Sequence, residues 1–167
     1  YKDGTDGVQV HITNTSNLPI EALENEYPLM IERYELIEDS GGAGKWRGGM
    51  GLRRVYRGLD HNLTFSGQGE RSVHPPWGLL GGKPGGRSKI EVLHDNGKRQ
   101  RLAIKPSSLE VPPTAVVSIE TPGAGGYGNP RRRSEEKVDE DYRSGKFSAG
   151  FMKKHYAFVQ KRSKRKP

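Results

Sequence analysis

The sequence predicts a mainly β fold, a β-sandwich or barrel-like body with long glycine-rich loops followed by a short C-terminal helical pair. Three observations lead there. Short runs of alternating apolar residues recur through residues 1–130 between turn-forming residues. The 23 glycines and 11 prolines among 167 residues are clustered, not spread with a collagen-like period, so much of the backbone lies in turns. After Pro130 the composition changes to charged residues with helical spacing.

The elements follow in chain order. Residues 7–12, GVQVHI, alternate as a strand does, and residues 19–26 suit a short helix with proline near the first turn and acidic residues at the positive end of its dipole. Residues 29–38 fit a helix or a strand; their short length and the glycines that follow favour a strand. Further strands are expected at 52–57, 63–67, 89–94, 101–104 and 115–120. Asp95-Asn96-Gly97 supplies a hairpin turn, because Asn-Gly accepts the positive φ angles such a turn needs. Helices are expected at 135–143 and 148–159, packed back on the body or on a partner. The domain reading is therefore a β body over 1–130, a helical docking extension over 131–160, and a basic disordered tail over 161–167.

Charge separates these regions. Residues 131–167 hold 13 Lys and Arg against 5 Asp and Glu, which accounts for the whole net charge of +8; residues 1–130 hold 15 of each. The body therefore lacks the basic face of a phosphate-tracking domain. No run approaches the ~20 apolar residues of a membrane span. Without cysteine there is no disulfide framework and no thiolate metal site, which fits a reducing compartment. The opening at Tyr1, YKDGTDGVQVHI, reads as mid-domain sequence.

Two glycine motifs invite a nucleotide reading, and their context argues against both. Gly123-Ala-Gly125-Gly-Tyr-Gly128 matches G-x-G-x-x-G and follows a predicted strand. However, Asn129-Pro130 stands where a helix should open, and no second strand completes the unit. Around Gly44-Lys45, Asp39 replaces a required glycine and Trp46 replaces the Ser or Thr that would reach magnesium. Turns and close backbone packing explain these glycines. The five histidines are scattered, so no complete metal site is expected from this chain, and no G-x-S-x-G elbow is present. His11-Ile-Thr13-Asn14-Thr15-Ser-Asn17 packs hydrogen-bonding side chains and an imidazole just before a helix start. They either cap that helix through Asn17 or point into a cleft and hold polar substrate atoms.

Four blocks in this order, DGVQVHITNTSNLPIEALENEYPL, YELIEDSGGAGKWRGGMGLRRVY, GERSVHPPWGLLGGKPGG and ETPGAGGYGNP, resemble the C-terminal part of the hydantoinase B family. That family includes hydantoinase and lactamase large subunits, half of 5-oxoprolinase, and acetone and acetophenone carboxylase subunits. The resemblance covers residues 3–130 well and 134–156 more loosely. It implies a piece of a large, cytoplasmic, hetero-oligomeric enzyme, either an ATP-dependent cyclic-amide hydrolase or a ketone carboxylase, inactive alone. Its implied partners are the preceding part of the B-type subunit and an actin-like A-type subunit that uses ATP to activate an amide or ketone. The complex would use ATP with Mg and a divalent metal, none of it held by this chain alone. His11, Thr13, Asn14 and Thr15 match the family's His-x-Thr-Asn-Thr block and are the candidates for lining the active site; no catalytic residue or metal ligand is carried over. The competing readings are a docking module without chemistry and a nucleic-acid binder using the basic tail, the latter predicting steep salt dependence.

Overall fold

The computed structural model describes residues 2–8 and 16–156. Its elements are α1 (Ile20–Glu26), β1 (Leu29–Leu36), β2 (Leu52–Gly58), β3 (Leu63–Phe65), β4 (Lys89–His94), β5 (Arg99–Arg101), β6 (Leu109–Val111), β7 (Ala115–Glu120), a 3-10 turn at Pro130–Arg132, α2 (Glu135–Arg143) and α3 (Ala149–Tyr156). The main sheet has the order β1-β2-β7-β4-β5, antiparallel throughout, and β3 pairs with β6 in a second, two-stranded sheet. The body is thus two-layered and mainly β, with no closed barrel among the described residues.

Cross-strand partners share a face, so the register assigns each side chain to a layer. Ile90 and Val92 of β4 lie opposite Ile119 and Val117 of β7. They form a core with Ala115 and Val111, against which Leu63, Phe65 and Leu109 of the small sheet pack. The opposite face carries a ladder of charges across four strands. Arg53 bonds Glu35 at 2.6 Å and Glu120 at 2.9 Å, and Lys89 links Glu120 to Glu91 at 3.3 and 3.1 Å.

The sequence readings differ from the structure in four places. The strand expected at 101–104 is β5, earlier in the chain, because the tight turn with Gly97 at φ 84° places Arg99 opposite Leu93. The strand β6 was not expected; its pairing with β3 is long-range and leaves no local signature. Of the strand expected at 7–12, Gly7 and Val8 lie in no strand, and the remainder falls outside the described residues. Asn17 does not cap α1, because the N-cap position falls two residues later at Pro19, which offers no side-chain acceptor.

Three glycine-rich stretches, 41–51, 78–86 and 123–128, meet in one place. Amides of Gly123, Ala124, Gly126, Tyr127 and Gly128 donate to carbonyls of Gly86, Gly49, Lys83, Trp46 and Leu79 at 2.9 to 3.2 Å. Side chains would keep these backbones apart. A Cβ on Gly48 would sit 1.9 Å from the Ala124 carbonyl oxygen, and one on Gly125 would sit 1.9 Å from that of Trp77.

The helical pair packs back on this loop assembly. Phe147, Met152, Val138 and Tyr156 bury themselves against Ala43 and Met50. Asp39, at φ 62°, accepts from the amide and hydroxyl of Ser148 at 2.7 Å each, and Ser148 in turn accepts from the amide of Phe151, fixing the start of α3. Beneath the helices lies a buried ion network. Asp141 of α2 accepts from Arg47 Nε at 3.1 Å and Arg133 Nη2 at 2.6 Å, Arg133 also meets Asp3 at 2.6 Å, and Arg47 meets Asp6 at 2.9 Å. Burial pushes the Asp3 carboxyl up, yet Arg133, the Arg47 amide and Lys137 hold it net below its ordinary value.

Tyr156 joins helix to loop by accepting from the Gly44 amide at 3.1 Å. Burial pushes its phenol up to about 12, against an ordinary 10.0. The unfolded chain ionises first as pH rises, so this contribution is full below pH 10 and is lost as pH climbs through 12. Alkaline unfolding titrations should show stability falling across that window by on the order of 2 kcal/mol more in wild type than in Tyr156→Phe. A window identical in both proteins would refute the assignment.

Candidate functional site

The core face of the sheet is covered by β3 and β6 over only part of its width. Over β1, β2 and β7 it opens into a cavity of about 460 Å³, within the size range of small-molecule sites. Alternation builds the floor: Leu52, Arg54 and Tyr56 share one face of β2, and the register places Tyr34 and Ile119 on either side of Arg54. Thr5, Gly7, Val8, Asn17, Gly49, Met50, Thr121, Pro122 and Ala124 complete the lining.

The walls are tied to the buried ion network. Asp6 accepts from Arg47 through both carboxylate oxygens, at 2.9 and 3.2 Å, and from the Met50 amide at 2.8 Å. Gly4 donates to the Arg47 carbonyl at 2.8 Å, and Ala124 to that of Gly49 at 2.9 Å. Thr121 Oγ1 accepts from the Leu52 amide at 2.8 Å. Residues 3–6 are therefore held against the 47–50 loop by Arg47 and Arg133 together with backbone bonds.

Arg54 is the charged residue of the lining. Its guanidinium lies over the Tyr34 ring, 4.2 Å from the centroid, and Nη1 donates to the Tyr56 hydroxyl at 3.3 Å. Asn17 Nδ2 lies 3.5 Å from the Tyr34 hydroxyl. Partial burial works against the charge, but the two tyrosines hold the Arg54 pKa above its ordinary value, so it stays cationic. Among the described residues, hydrogen-bond donors and one fixed positive charge thus face a half-enclosed space lined otherwise by neutral groups.

His11, Thr13, Asn14 and Thr15, the residues singled out for lining a site, lie outside the described residues. Val8 and Asn17, on the two sides of that segment, both line the cavity. The glycine motif at 123–128 is not a phosphate cradle, because the five amides named above are already bonded to backbone carbonyls. Among the described residues no group of three or more His, Cys, Asp or Glu could hold a metal ion, and no helix is long and apolar enough to cross a membrane. Sequence reasoning missed Arg54, Tyr34 and Tyr56. The signal available was an arginine alternating with Leu52 and Tyr56, a charge on the inward side of a half-buried strand.

Comparison with known proteins gives the architecture a family. The hydantoinase B/oxoprolinase family model matches residues 1–130. An uncharacterized protein of Methanocaldococcus jannaschii is 46% identical over 132 residues, covering 79% of this chain and 23% of its own length. 5-Oxoprolinase 1 of Arabidopsis thaliana is 38% identical over 127 residues, covering 76% of this chain and 10% of its own length. The crystal structure of the ATP-dependent caprolactamase from Pseudomonas jessenii superposes with a TM-score of 0.76 at 35% identity, over 86% of this chain and 25% of that one. The chain spans a quarter or less of each of these relatives. With the family model matched over residues 1–130 and relatives 46% and 38% identical over more than three quarters of it, the chain belongs to the hydantoinase B/oxoprolinase family.

Proposed function

We propose that this chain is part of a hydantoinase-B-type subunit of an ATP-dependent enzyme that opens cyclic amides, and that it forms one wall of the substrate site. The observation that carries this reading is the cavity whose lining includes Val8 and Asn17, which bracket His11, Thr13, Asn14 and Thr15. Two of the named relatives, a 5-oxoprolinase and a caprolactamase, are named for substrates that are cyclic amides, which favours hydrolysis over carboxylation. In this reading residues 1–130 are the body and residues 131–160 a docking extension toward the rest of the complex.

An amide resists water because its nitrogen lone pair is delocalised into the carbonyl, so opening it calls for activation and for groups that hold the ring in place. His11, Thr13, Asn14 and Thr15 supply donors and acceptors for the polar ring atoms. The amides of the 123–128 loop are taken by backbone carbonyls, and among the described residues no ligand cluster for a divalent metal is formed. ATP with Mg, and the divalent metal, belong in this reading to the preceding part of the subunit and the A-type partner.

Asn14→Ala and His11→Ala, made in the assembled enzyme, test the placement. Each should lower turnover by about tenfold or more while the native mass of the assembly stays unchanged. An intact assembly with near-normal turnover in both variants would leave the docking-module reading in its place.

A further inference from the structure

We infer that Arg54 is the anion-recognition residue of the cavity and holds a carboxylate or phosphate group of the small molecule bound there. The arginines around it are satisfied differently. Arg47 meets Asp6 and Asp141, Arg133 meets Asp3 and Asp141, Arg53 meets Glu35 and Glu120, and Arg57 meets Glu32 and Asp95. Among the described residues no carboxylate lies within salt-bridge distance of Arg54; its partners are the neutral Tyr34 and Tyr56.

This arrangement suits a ligand anion. Stacking on Tyr34 holds the guanidinium plane, as arginine–aromatic contacts do, and leaves its edge to present donors in the fork geometry that matches carboxylate and phosphate oxygens. Tyr56 accepts at one nitrogen, which fixes the rotation of the fork without neutralising it. Among the described residues the cavity lining contains no acidic side chain that would compete as a counter-ion. Half-enclosed walls concentrate the field of that single charge.

The ligand's identity, though not the anion site, rests on the proposed function. Opening a cyclic amide converts a neutral group into a carboxylate, and activation by ATP introduces a phosphate. Both present the same anionic oxygens to Arg54, and a cationic ligand would be repelled.

The test is calorimetric titration of the native assembly with inorganic phosphate and, separately, with acetate. The wild type should bind at least one of them, with Arg54→Met weakening that binding by about 10- to 100-fold and Arg54→Lys restoring part of it. Whichever probe binds identifies the group recognised. Arg101→Met, on the exposed strand at the far edge of the sheet, should change nothing. Thermal unfolding of Arg54→Met checks that the fold survives, and Arg54→Lys keeps the test decisive if it does not. Equal binding by wild type and both Arg54 variants would overturn the inference. So would an assembly that binds neither anion, which would mean that a protein carboxylate from elsewhere in the complex already pairs with Arg54. Binding needs no turnover, so this inference and the proposed reaction can fail independently.

Discussion

Gly123→Ala is expected to abolish the folded state. A Cβ at this position would lie 1.8 Å from the carbonyl oxygen of Ser40 and 2.4 Å from its carbonyl carbon, a backbone overlap that no rotamer relieves. Ser40 cannot retreat. Its carbonyl accepts from Gly86 at 2.6 Å, its hydroxyl donates to Ile37 at 2.6 Å, and that hydroxyl accepts from Gly51 at 2.8 Å. Overpacking in a well-packed interior costs about 1–3 kcal/mol when neighbours can adjust, and here the neighbours are three bonded backbones, so the cost should exceed that range. Domain stabilities of about 5–15 kcal/mol leave little beyond such a loss. Urea unfolding should find no cooperative transition for Gly123→Ala, while Gly97→Ala, where the added carbon meets nothing within 4 Å, should lose only about 1 kcal/mol for its positive φ. A wild-type transition in Gly123→Ala would show that the glycine clusters do not interlock as described.

Asp141→Ala should be the most damaging side-chain change on the helical extension, with a loss of about 3–5 kcal/mol. The carboxylate bonds Arg47 and Arg133, whose side chains are 8% and 1% exposed, and its removal leaves two buried guanidinium groups short of an acceptor. Arg133 Nε already lacks a hydrogen-bond partner among the described residues, so no slack remains there. Arg47 also holds the cavity wall through Asp6, and the damage should therefore reach the site as well as the helices. The thermal midpoint should fall by about 10 °C. By contrast, Asp139→Ala, which removes a solvent-exposed pair with Arg143, should change it by little. Replacing Arg133 and Asp141 together by apolar residues should recover part of the loss, because the main cost lies in stranding a charge and not in losing an attraction. Equal midpoints for Asp141→Ala and Asp139→Ala would contradict the buried network.

What could be read in advance was what local sequence encodes. The strand Ala115–Glu120 and the helix Glu135–Arg143 match their expected bounds, because AVVSIE is a short β-branched run and EEKVDEDYR carries helical spacing with acidic residues in its first turn. The strand β6 has three residues and gains its definition from β3, more than forty residues away along the chain, and the hairpin after Asn96-Gly97 shifted its strand because the turn geometry sets the register. The glycine clusters announced turns. Their bonding to one another is a tertiary fact, which is why a nucleotide fingerprint could be doubted from context but explained only by where its amides point.

The candidate site divides in the same way. The His11 to Thr15 block came from resemblance, and its own residues left capping and site roles open. Alternation in LRRVYRG sets Arg54 apart from Arg53 and Arg57, but only the pairing of β2 with β1 and β7 shows which face meets the charge ladder and which the cavity.

The most direct test of the central proposal is a product assay on the native assembly purified through this chain. It would be supplied with 5-oxoproline, hydantoin and caprolactam in turn, with and without ATP and Mg. The proposed function predicts that at least one ring is opened to its amino acid or carbamoyl acid only when ATP is present, with ADP formed alongside. An assembly containing this chain that opens none of the three with ATP, or that opens one equally well without it, would contradict the proposal.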